Sequence, residues 1–493
     1  MRHISQHLEA RVTALLRWRA SRTTDTRRVV THADAQALVD FVRAAKGKNG
    51  ANIVIDHRVS RITKVSSRVP GVSVDADQLT ISWGSNVGSV VGLGIYTNVR
   101  DARTLQRLIH QVDANATPPV DESSSYSLPP DPAANITLMP VSLWRTGTEQ
   151  AWGPLHEELL ARCVAAMRQS SLWCTGTLAV IQRAQLFGGS GTWGEDTDSE
   201  LSVTARTEDG TASGWSGQAH RDATQLAPER IVHDAVDMAL RNRGARRAEP
   251  GRYTAILSPT AVGQLVAAMC RSFDMGFFVG PLRYHPSVNG RTIRFGERVL
   301  DRRITLSTDP ADPEGGDFPY YPDDGFPTRG ETWVDQGVLK KMGSNLAWAL
   351  GLGFYPPVKG PASMRMSGGT TSIAEMIAQC ERGIYVHRLG GMAPRNEQAC
   401  MFYGVTRHGC WLVKDGKIDR PVTNFRFYDS PFLRFNQVKA LGVPQRVAFG
   451  YPPPPSDFQL GPRVGDVDWP HPPIIVPPMM VGDFNFCSLV DAV

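Results

Sequence analysis

Apolar residues at the start of the chain recur at helical spacing, with Ile4, Leu8, Val12, Leu15 and Leu16 marking one face of an amphipathic helix. Residues 34–45 repeat that period and predict a second helix. Apolar stretches at 52–55 and 79–83 read as strands, 84–94 is glycine-rich and strand-flanked, and 101–112 returns to helical periodicity. The opening part thus alternates helices and strands like an α/β or α+β layer. Residues 115–134, rich in Pro, Ser and Asp, read as a loop or linker, and 157–169 as a strong helix. Between 176 and 214 strand signals are interrupted by Gly188-Gly189-Ser190-Gly191 and by the acidic run Glu195, Asp196, Asp198 and Glu200. A helix over 228–243 follows, and Glu249-Pro250-Gly251 breaks the chain before a strand at 253–257.

That break sets the expected domain boundary. Residues 1–248 form an N-terminal mixed α/β domain, and 249–493 a mainly antiparallel β domain with helical interludes near 261–269 and 372–382. The fold class is α+β. Pro452-Pro453-Pro454-Pro455 and Pro472-Pro473 cannot donate to a sheet ladder, which predicts a Pro-rich tail of edge or surface structure. A length of 493 residues suits two or three domains, and 41% hydrophobic with 20% charged residues is ordinary for a soluble globular chain. No run approaches the roughly 20 apolar residues of a membrane helix. A net charge of +5 without a basic stripe predicts no nucleic-acid partner. Seven cysteines without a Cys-x-x-Cys pair argue against a disulfide framework or zinc ribbon and predict a cytoplasmic protein. The first 28 residues are arginine-rich like a transit peptide, but their helical spacing fits an ordinary surface helix better.

Four landmarks stand in order in the second half: Asp323-Asp324-Gly325-Phe326-Pro327; Val334-Asp335-Gln336-Gly337-Val338-Leu339-Lys340; Gly383-Ile384-Tyr385-Val386; and Val413-Lys414-Asp415-Gly416-Lys417-Ile418-Asp419-Arg420-Pro421-Val422. Together they resemble the signatures of the TldD/PmbA peptidase family, although the first lacks the family's Glu. The resemblance is good over 252–443, looser over 176–248 and faint before that. Asp415-Gly416 and Gln336-Gly337 are also hairpin signals in their own right.

The resemblance implies a zinc helix of His-Glu-Ala-x-Gly-His pattern soon after the Pro-Gly break, with two imidazoles on the metal and a Glu to take a proton from bound water. The corresponding residues 262–274 contain no His and no Glu. Ala267 and Ala268 stand near the expected pair, with Arg271 beside them, and 443–461 lacks the cysteine of zinc-binding members. The chain therefore resembles the zinc-less PmbA-type branch. By that resemblance it is a subunit that shapes a peptide-processing complex, carries no cofactor of its own, and pairs with a zinc-bearing TldD-type subunit or a second copy of itself. A peptide substrate would add to strand edges at 363–371 and 385–389, which makes Ser367, Tyr385 and His387 candidate binding residues.

The residues admit other chemistry as well. His387, Cys400, His408 and Cys410 could converge from neighbouring strands on a metal, against a reading of a His near a hairpin turn and packed thiols. His233-Asp234-Ala235-Val236 echoes a zinc helix but lies before Pro250 and reads as a solvated helix face. Asp309, Asp312, Glu314 and Asp317 lack calcium-loop spacing and read as a solvated surface turn. Gly189-Ser190-Gly191-Thr192-Trp193-Gly194 matches Gly-x-Gly-x-x-Gly, but acidic residues follow it, so it reads as a glycine-rich hairpin. The alternatives to the subunit reading are an autonomous enzyme with a rebuilt site, or a homodimeric peptide-binding or biosynthetic protein without peptidase activity.

Overall fold

The computed structural model describes residues 5–18, 26–46, 53–87, 90–115, 141–188, 191–273, 283–284, 292–317, 329–343, 361, 363–396, 399–450 and 473–490. The expected linker at 115–134, the Asp323–Pro327 landmark and Pro452–Pro455 lie outside these residues, apart from residue 115.

Six strands, β1 (Ile53–Ser66), β2 (Val72–Val87), β3 (Val90–Thr97), β4 (Trp173–Phe187), β5 (Thr192–Arg206) and β6 (Ser213–His220), pair antiparallel in the order β3-β2-β1-β4-β5-β6. Side chains alternate across a sheet, so one face carries Ile55, Leu79, Ile81, Leu178, Val180, Leu186, Leu201 and Val203, all essentially buried. Against this core pack α1 (Gln6–Trp18), α2 (His32–Lys46), α3 (Ala102–Ala114), the short α4 (Thr146–Gln150), α5 (Pro154–Gln169) and α6 (Pro228–Arg241). Asp101 caps α3 by accepting from the Thr104 main-chain N–H at 2.8 Å. The strands are far longer than the apolar stretches predict, because buried polar residues such as Thr63, Gln182 and Thr197 extend them. The acidic run at 195–200 likewise does not interrupt a strand; it lies within β5.

From β7 (Gly251–Leu257) onward the chain is mainly β. α7 (Pro259–Cys270) follows, then a two-stranded pair, β8 (Arg283–Tyr284) and β9 (Thr292–Ile293). A mixed sheet has the order β12-β11-β10-β13-β20-β19, from β10 (Leu306–Thr308), β11 (Glu331–Asp335), β12 (Val338–Leu339), β13 (Met364–Met366), β19 (Gln445–Arg446) and β20 (Ile474–Val476). α8 (Ile373–Ala378), held by a Ser372–Glu375 capping box, stops short of the expected residue 382 because β14 begins there. β14 (Arg382–Asn396), β15 (Met401–Lys414), β17 (Phe425–Asp429) and β21 (Met479–Leu489) then close a ring with β7. Pairing runs β14–β7–β21–β17–β15 and back to β14, a five-stranded barrel without an open seam. β16 (Lys417–Pro421) extends β15, β18 (Val438–Leu441) extends β21, and α9 (Pro431–Arg434) links β17 to β18.

Phe425, Phe427, Phe484 and Phe486 are buried together with α7 in one large core. β21 runs through the barrel with Met479, Val481, Phe484 and Phe486 fully buried, since apolar residues after the prolines outweigh the turn signals before them.

Candidate functional site

The helix that should offer zinc ligands is α7. Its residues from Ala261 to Cys270 are all buried except Gln264, and Ala267 and Ala268 are 4% and 2% exposed. An apolar surface on every side makes this a core helix, without room or atoms for a metal-bound water. Arg271 follows it in a 3-10 turn. Gln264 clamps the neighbouring strand, since its amide donates to the Leu389 carbonyl at 2.7 Å and its carbonyl accepts from the Leu389 N–H at 2.8 Å. Ser258, at the start of the helix, accepts from the Ala261 N–H at 3.2 Å and donates to the His387 carbonyl. α7 is thus bolted to the strand that carries His387.

Those bonds decide the fate of the expected peptide-binding edges. β14 is paired on one side with β7 as far as Val386 and on the other with β15, and beyond Val386 the free edge is taken by Ser258 and Gln264. β13 sits between β10 and β20. Neither stretch is an edge that a peptide strand could join as the chain stands. Ser367 acts as a clip, its hydroxyl donating to the Arg303 carbonyl at 2.9 Å and accepting from the Thr305 N–H at 2.8 Å. Tyr385 stacks on Trp411 with ring centroids 5.4 Å apart, and burial pushes its phenol up to about 12.

The alternative metal set does not assemble either. Among the described residues no three His, Cys, Asp or Glu side chains are placed to hold a metal ion. His408 is not near a hairpin turn; it is mid-strand in β15, left-handed at φ 54°, beside Gly409 at φ 135°, opposite the register shift at His387. Its Nδ1 lies 3.1 Å from the Ser213 hydroxyl, and burial, then Arg388, Arg407 and Arg206, hold it well below the usual histidine range. His387 faces Trp215, ring centroids 6.2 Å apart, and among the described residues neither ring nitrogen has a partner of good hydrogen-bond geometry. Burial and then Arg388 lower it to about 4, only partly opposed by the Trp215 main chain. Burial raises the Cys400 and Cys410 thiols to about 12, as for thiols packed in an apolar core.

The charged residues that the structure does bring together lie between the first sheet and the barrel side. The Arg446 guanidinium reaches both Asp198 oxygens, at 2.6 and 2.7 Å, and Glu314 at 2.9 Å. Arg183 bridges Asp196 at 2.9 Å and Asp317 at 2.7 Å, and Arg221 donates to the Gly316 carbonyl. Glu200 accepts from the main-chain N–H groups of Phe449 at 3.2 Å and Gly450 at 2.6 Å, while burial raises its carboxyl above the usual range. The acidic turn at 309–317 is therefore only partly solvated. Glu314 and Asp317 join the ionic seam, the Asp312 carboxylate turns to Arg365, and Asp309 stays exposed. His233 does lie exposed on its helix, as a solvated face should.

Residues 250–488 match the family described as the PmbA/TldA metallopeptidase C-terminal domain. A curated metalloprotease of Archaeoglobus fulgidus is 25% identical over 135 residues, which are 25% of this chain and span 31% of that protein's length. Among solved structures, a suggested modulator of DNA gyrase from Bacteroides thetaiotaomicron superposes with a TM-score of 0.72 at 17% identity, covering 94% of this chain and all of its own. TldE from Thermococcus kodakarensis gives 0.66 at 15% identity, covering 91% of this chain and 98% of its own. At such identities the structures establish the fold.

Proposed function

From the premise that the chain belongs to the TldD/PmbA family, through residues 250–488 and through its fold, we propose that it is a zinc-less subunit of a peptide-processing complex. The observation that carries this reading is α7. The helix at the place of the family's zinc helix offers Ala267 and Ala268 inside a dry core and spends the amide of Gln264 on the neighbouring strand. These residues do not fit a zinc ion, and no catalytic step is drawn through one. In this reading the chain contributes walls and pairing surface, while a zinc-bearing TldD-type partner supplies the metal, the water and the base. Seven free cysteines, six of them buried, suit a reducing cytoplasm.

The test is peptide hydrolysis by the purified chain alone, by a zinc-bearing family partner alone, and by the two expressed together. The pair is expected to hydrolyse a peptide that the isolated chain leaves intact. Robust zinc-dependent hydrolysis by the isolated chain overturns the reading.

A further inference from the structure

Where β7 begins, the outside of the barrel opens into a cleft of about 400 Å³ lined by residues 249–254, Arg382 and Asp483. That volume lies within the range of small-ligand sites. Arg252 and Thr254 alternate with the buried Tyr253 and so project outward from the barrel, and Arg382 reaches the cleft from the first residue of β14. The guanidinium of Arg382 lies 5.2 Å from the Tyr253 ring centre, and its one polar contact among the described residues is the Tyr253 hydroxyl at 3.4 Å. Lys439 donates to the Thr254 hydroxyl at 2.8 Å and has no carboxylate within ion-pair distance among the described residues.

Of the acids lining the cleft, Asp483 is already engaged and Glu249 is exposed. Asp483, left-handed at φ 60° in the β21 bulge, is shared by Arg252 at 2.9 Å and Arg434 at 3.4 Å. Glu249 uses its main-chain carbonyl, accepting from the Tyr253 hydroxyl at 2.7 Å, and its side chain is exposed. Among the described residues Arg382 is thus left without a countercharge in a polar cleft, its guanidinium over an aromatic face, and Lys439 stands beside the cleft on Thr254. A planar guanidinium so held matches the paired oxygens of a carboxylate or phosphate.

We propose that this cleft is an oxyanion-binding site, with Arg382 as its principal ligand and Lys439 and Arg252 beside it. The proposal stands apart from the subunit reading, since it concerns the outer wall of the barrel and not α7. The full chain is titrated at constant ionic strength with inorganic phosphate, with an N-acetylated dipeptide bearing a free C-terminal carboxylate, and with the same dipeptide as its amide, following the melting temperature. A saturable rise with phosphate or with the free acid is expected, and which of the two acts identifies the source of the oxyanion. Arg382→Ala should weaken that response about tenfold, as loss of a charge-assisted hydrogen bond does. Arg420→Ala, on β16 outside the cleft, should leave it unchanged. No saturable rise with either ligand, an equal rise with the amide, or an undiminished response in Arg382→Ala overturns the proposal.

Discussion

At the scale of single residues, α7 is a buried core helix whose Gln264 holds the neighbouring strand. Gln264 satisfies both main-chain groups of Leu389, so Gln264→Ala orphans a buried N–H and C=O and should cost about 1–3 kcal/mol in urea unfolding. His387 gives a pH signature. Its folded value of about 4 lies below its ordinary 6.5, so between those values the unfolded chain binds the extra proton and the fold loses stability as pH falls. The charged groups acting on it are Arg388 and His408, with Glu200 acting on Arg388 and with Arg407 and Arg206 on His408, and His408 is shifted the same way. His387→Gln should flatten the stability profile between pH 6.5 and 4, by no more than about 1.4 kcal/mol per pH unit. The absence of His and Glu from residues 262–274 is legible in the sequence, because it depends on residue type at a local position. The charge partners were not, since Arg183 and Asp317 stand 134 residues apart and Arg446 and Asp198 248 apart.

At the scale of elements, what the sequence predicted best were tight turns. Asp415-Gly416 joins β15 to β16 and Gln336-Gly337 joins β11 to β12, each with both residues at positive φ, as two-residue hairpins demand. Gly416→Ala places a Cβ at φ 76° and 2.7 Å from the Ala378 carbonyl oxygen, and is expected to cost about 1–3 kcal/mol by chemical denaturation. An unchanged unfolding midpoint would show that α8 yields there. Strand lengths were far less legible, because apolar alternation stops where buried Thr, Gln and Ser take over in β1, β4 and β5. The paired register shift at His387 and His408 was also hidden, because a bulge depends on what packs across the sheet, here Ser213 and Trp215 of β6.

At the scale of the whole molecule, the first sheet meets the barrel side through the seam of Arg183, Arg221 and Arg446 with their carboxylates. Arg446→Met leaves the buried Asp198 without this cation and takes it from the half-buried Glu314, so the variant should lose about 3–5 kcal/mol. A melt that then separates into two transitions would show that the seam, more than the apolar contacts of Trp215 and Ala448, couples the halves. The family resemblance foresaw this architecture in outline, since motif order survives where individual contacts cannot be read. It did not foresee that the expected peptide edges at β13 and β14 are already paired. The central claim, that the chain has no zinc site of its own, is tested most directly by the zinc content of the purified full-length protein after zinc loading and desalting. Far less than one zinc ion retained per chain is expected; one tightly held equivalent per chain would contradict the claim.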